Sequence, residues 1–194
     1  MKLDCYLINE GANKLICKIK NMKTKFLVSV FMFLGFVMAC NAQDYSKLKD
    51  LKMKEKEDFA KAEDKVLECS KYILTTPMDD ENTNRINALQ FIYRWMDGTP
   101  DYTFTLDETV GKIAQTSDAL LGVYMACMCR YVLEHKDKAK DAKDVKYNSV
   151  LLLIDYSKDP NNKVEITGEL ENLIKAKDEH RLKEYIKVVE GQMV

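Results

Sequence analysis

Residues Phe26 to Cys40 read FLVSVFMFLGFVMAC, an apolar run that carries no charge. Lys23 and Lys25 precede it, and Asn41-Ala42-Gln43-Asp44 follow. A basic start, an apolar middle and small residues at the end are the three parts of a secretory signal peptide. The run constrains everything else, because it assigns residues 22–42 to export and leaves 43–194 as the folding domain. Met22-Lys23-Thr24-Lys25 has the form of a natural start, which makes residues 1–21 a mis-assigned start or a leader. A membrane span needs roughly 20 apolar residues. This run meets polar Asn41, Gln43 and Asp44 before that length, so a cleaved signal is expected rather than an anchor.

Two processing routes compete. Cys40 and Ala42 suit ordinary signal peptidase, with cleavage before Gln43. Val37-Met38-Ala39-Cys40 also resembles a lipobox, in which Cys40 is acylated and tethers the domain to a membrane surface. The expected location is the periplasm or the extracellular space of a bacterium, as a released domain or as a lipoprotein.

Removing the six lysines and two acidic residues of 1–42 from the chain's 30 basic and 31 acidic residues leaves 24 and 29, a net charge near −5. An acidic surface with few arginines lacks the clustered basic charge of a nucleic-acid footprint. It also opposes electrostatic binding to anionic lipid. The whole chain has seven glycines and three prolines, too few for a domain built from many tight turns. Long helices with short joints are expected instead.

Apolar spacing predicts a long helix over 46–74, with Leu48, Leu51, Phe59, Ala62, Val66, Cys69 and Ile73 on its inner stripe. Its first half is poor in apolar residues. A second helix over 80–97 ends at Gly98 before Pro100, and Asp101 to Phe104 form an extended strap. Thr105-Leu106-Asp107-Glu108 matches a capping box that opens a short third helix. A fourth, over 118–135, is apolar nearly all round from Leu121 to Leu133, the mark of a central buried helix. Residues 136–146 (KDKAKDAKDVK) form a charged link, a flexible loop or the solvated start of the next helix. Tyr147 to Tyr156 form a fifth helix, with a strand as the competing assignment. Residues 168–190 are helical with a break near Lys177. The expected fold is all-α, one domain of six or seven helices in antiparallel hairpins. Leu121-Gly122 and the helix-closing Pro77, Pro100 and Pro160 resemble features of tetratricopeptide repeats. The aromatic and alanine positions that should follow do not fall in place, so the likeness is architectural only.

Three clusters are candidates for function. Phe91, Tyr93, Trp95, Tyr102 and Phe104 supply apolar area with polar handles, suited to a partner-binding groove or to the core. Met125-Ala126-Cys127-Met128-Cys129, with His135 beyond, offers soft ligands of the kind that select copper(I). Met125 and Cys129 share one helix face, while the remaining ligands diverge round the axis, and flexible core filling is the plainer reading. Cys69, Cys127 and Cys129 are an odd count for an oxidising compartment. Either Cys69 pairs with one of the others or all three are buried free thiols. Asp79-Asp80-Glu81 suits a helix start. Gly-x-Ser-x-Gly and EF-hand spacing are absent.

The leading expectation is a non-enzymatic exported module that binds a protein or peptide through a groove at Phe91, Trp95, Tyr102 and Phe104, without a cofactor. The alternative is a periplasmic copper or zinc carrier, or a small enzyme, using a buried polar site. A small helical inhibitor or immunity-type protein is the third reading.

Overall fold

A computed structural model describes residues 44–105 and 107–191, with side chains to Lys187. The expected signal peptide, with its expected cleavage site and Cys40, lies outside the described residues. The described residues are all-helical, with seven α-helices and two short 3-10 turns and no strand among them. The helices are α1 (Lys56–Thr75), α2 (Thr83–Gly98), α3 (Glu108–Thr116), α4 (Asp118–Glu134), α5 (Ala142–Lys158), α6 (Gly168–Asp178) and α7 (Leu182–Gly191).

Helix α4 is the centre, packed against α1, α2, α3 and α5. Its apolar run leaves no face for solvent, so Leu120, Val123, Ala126, Cys127, Met128, Cys129 and Val132 all enter the core. Gly122 lets Leu89 of α2 close in, since a Cβ there would stand 3.2 Å from the Leu89 methyl. Helices α1 and α2 bury Phe59, Val66, Ile73, Ile92 and Trp95. Helices α6 and α7 pack on α3, and Leu170, Leu173 and Leu182 seal that side.

The long first helix is corrected by the structure. Ser46–Asp50 is a separate 3-10 turn, and α1 begins only after Glu55. Glu55 and Asp58 form a reciprocal capping box there, satisfying the first free N–H groups. Leu51, counted in the inner stripe, is 45% exposed in the connection. The third helix is capped by Asp107 rather than Thr105: its Oδ1 accepts from the N–H of Thr109 at 2.9 Å and of Val110 at 3.2 Å. The fifth segment is a helix, and it starts inside the charged link, where Asp141 accepts from the N–H groups of Lys143 and Asp144. The last helical stretch breaks at His180, whose φ of 57° is left-handed. No helix among the described residues is long and apolar enough to cross a membrane.

Candidate functional site

The aromatic cluster divides on folding. Trp95 is fully buried, and its indole N–H donates to the Phe59 carbonyl at 3.1 Å. Phe91 is 2% exposed. Neither presents surface to a partner, because the face of α2 that carries them is the one turned to the core. Tyr102 and Phe104 are half-buried in the strap and lie over Trp95, with ring centroids at 5.2 and 6.0 Å. Tyr93 alone of the five points outward, at 59% exposure.

The soft-ligand cluster is likewise core. Cys129 and Cys127 are buried free thiols, as is Cys69, and Met125 is half-buried on the same helix. Burial pushes the Cys69 thiol up to about 12, with the Glu68 charge adding to it, and raises Cys127 and Cys129 well above the ordinary thiol range. All three are protonated near neutral pH, whereas metal binding and nucleophilic attack need the thiolate. No group of three His, Cys, Asp or Glu side chains converges to hold a metal ion among the described residues. Three buried polar side chains serve the backbone instead. Ser70 and Ser157 donate to carbonyls one turn back, and Asn162 to the Tyr156 carbonyl.

Two adjoining cavities lie elsewhere, at the start of α5. The first, of about 210 Å³, is lined by Asp141, Lys143, Asp144, Lys146, Tyr147, Lys183, Ile186 and Lys187. The second, of about 250 Å³, lies between the strap and α4, with Phe104, Tyr124, Met128 and Val145 as its apolar walls. Both share Lys143 and Lys146.

The geometry follows from local sequence. Asp107 caps α3 with Oδ1 and meets Lys146 with Oδ2, a pair only 15% and 11% exposed. That pair pins α5 to the start of α3, and both residues line the second cavity. A buried pair of this kind holds a joint in place at a desolvation cost. Asp141 spends its carboxylate on the α5 N-terminus, and Asp144 accepts from the Tyr131 hydroxyl. Burial, then the hydrogen bond to Asp144, pushes the Tyr131 hydroxyl up to about 12, so it stays a donor. Burial also raises the Tyr124 hydroxyl, reinforced by the Asp107 charge.

Both nearby acids are thus engaged, and Lys146 is paired with Asp107, which leaves the other three lysines of the cleft. Lys183 lies over the Tyr147 ring, its ammonium 4.8 Å from the centroid. Among the described residues Lys143, Lys183 and Lys187 form no ion pair. Against the chain's acidic balance, this cleft is a local concentration of positive charge.

The charged run 136–146 reads as a loop or a solvated helical start, and the helix does begin there at Ala142, but nothing in it reveals the cleft. Its alternating Lys and Asp read as a solvated face, and nothing in the spacing brings Lys183 and Lys187 beside Lys143. Of the four aromatics expected at a groove, Phe104 alone lines a cavity described here. Neither cavity is lined by His or Cys. No protein-family profile, curated protein or solved structure matches the chain.

Proposed function

We propose that the chain is an exported, non-catalytic binding module that takes an acidic segment of a protein or peptide in the cleft between α5 and α7. The observation that carries this reading is the convergence of Lys143, Lys183 and Lys187, free of carboxylate partners among the described residues, around Tyr147 and Ile186. Lysine ammoniums on flexible stems suit carboxylates of varied position, and the Tyr and Ile surfaces add apolar contact. Contacts of this type weaken with salt, since the screening length is about 8 Å at physiological ionic strength.

Fluorescence anisotropy with a labelled glutamate-rich peptide and its lysine-rich counterpart tests the reading. The acidic peptide is expected to bind in the micromolar range and the basic one not at all. Lys143→Glu, Lys183→Glu and Lys187→Glu together are expected to weaken the acidic peptide by about tenfold or more. Equal binding of both peptides, or indifference to the triple change, would remove the cleft from the function.

Export rests on residues 22–42. Intact mass of protein secreted by a bacterial host is expected to place the N-terminus at Gln43, or at a lipid-modified Cys40. A mature chain retaining residue 22 would overturn it.

A further inference from the structure

The two cavities differ in chemistry although they share two lysines. The first is cationic at its rim. The second is walled by Phe104, Tyr124, Met128 and Val145. At about 250 Å³ it is below the roughly 300–1,000 Å³ of a pocket for a drug-sized molecule. It holds a single large side chain more readily than a whole ligand. The carboxylate that lines it is already neutralised, because Asp107 meets Lys146. A charged group entering it would be desolvated next to an existing ion pair, whereas an apolar group would only displace water from apolar walls. Lys143, at the boundary of both cavities and without an ion pair among the described residues, stands where the apolar and anionic parts of one ligand would meet.

We propose that the partner is a peptide segment with one apolar anchor residue seated in the second cavity and carboxylates close by in sequence lying over Lys143, Lys183 and Lys187. This deepens the acidic-segment reading and rests on it. Because the cavities adjoin, anchor and acid belong within about two residues of each other, or roughly 7 Å of extended chain. Charge would govern encounter and salt dependence, and the anchor would govern residence.

The test uses three labelled peptides: a glutamate-rich one with a central leucine, the same with alanine in its place, and the leucine peptide with glutamines for glutamates. Binding is measured to the native protein and to Ala142→Trp. Ala142 is exposed in the first turn of α5 and lines the second cavity, so tryptophan there blocks its mouth without entering the core. An unchanged thermal unfolding midpoint confirms that the variant folds. The leucine–glutamate peptide is expected to bind at least about tenfold more tightly than the alanine peptide, as burial of one large aliphatic side chain implies. Ala142→Trp should erase that difference while leaving the dependence on glutamate and salt. Equal binding of the leucine and alanine peptides to the native protein overturns the anchor but leaves the acidic-segment reading. Binding of the glutamine peptide as tightly as the glutamate one overturns the charge reading, and with it this proposal. No binding of any peptide overturns both.

Discussion

Replacing Trp95 with alanine is expected to lower the free energy of unfolding by about 4 kcal/mol, the middle of the range for a truncated core aromatic. Trp95 is among the largest fully buried side chains, and it does three things at once. Its ring fills the space between α1 and α2, its N–H is spent on the Phe59 carbonyl, and Tyr102 and Phe104 rest on it. Truncation therefore leaves a cavity, removes a buried hydrogen bond and unseats the strap. A domain of this size has roughly 8–15 kcal/mol in total, so a quarter or more of its stability depends on this residue. Each kcal/mol corresponds to about 2–4 °C in this size range, which puts the midpoint about 12 °C lower. Urea and thermal unfolding followed by circular dichroism measure it. A loss under about 1 kcal/mol would mean that the ring is not packed as described. Because Phe104 also walls the second cavity, peptide binding should fall in this variant through loss of shape rather than loss of contact with Trp95.

Arg85→Met is expected to cost about 3 kcal/mol, and the reason lies in a proline. A helix leaves its last carbonyls without N–H partners. At the end of α1 the Ile73 carbonyl would look to the N–H of residue 77, which is Pro77 and has none. Arg85, 4% exposed on α2, supplies the donor: Nη1 reaches the Ile73 carbonyl at 2.9 Å and the Thr76 carbonyl at 3.2 Å. Its Nη2 donates to the Tyr156 hydroxyl, which in turn donates to the Thr76 carbonyl at 2.8 Å. Two effects oppose each other in the variant. Removing a buried cation relieves desolvation, and methionine fills similar space. Against that, carbonyls at the negative end of a helix lose their donors, each worth about 1–3 kcal/mol when buried. The second should win, because the Ile73 carbonyl meets Pro77 where its helical donor would stand, and the Thr76 carbonyl keeps only the Tyr156 hydroxyl. Arg85→Lys should recover only part of the loss, since an ammonium lacks the planar fork. Denaturant midpoints of the three proteins decide it, and a neutral Arg85→Met would show that desolvation relief prevails.

The helical class and the central position of α4 were legible because both rest on a local pattern. An apolar run with no polar face has only one place to go, and Leu121 to Leu133 went there. Boundaries were less legible where capping chemistry competed. Thr105 and Asp107 both offered cap oxygens, and the Lys146 contact favours Asp107. Leu51 kept the helical rhythm of α1 but not its structure, because the capping box at Glu55 and Asp58 starts the helix later. The aromatic cluster shows a different limit. Tyr93 and Trp95, two residues apart on one helix, lie at opposite extremes of exposure, and composition cannot say which of them faces out. The cleft was illegible for a third reason. It joins residues near 143 to residues near 187, and no spacing rule links side chains that only tertiary packing brings together.

The joint at Pro77 sets an order on the making of this protein. The hydrogen bonds that complete the end of α1 come from positions 12 and 80 residues further along the chain. A chain that emerges from a ribosome or a translocation channel from its N-terminus can wind α1 early. It cannot finish that helix until the segment carrying Tyr156 has also emerged and docked. Until then the first helix has an open end, and the nascent chain passes through a stage in which its earliest element is among the last to be completed.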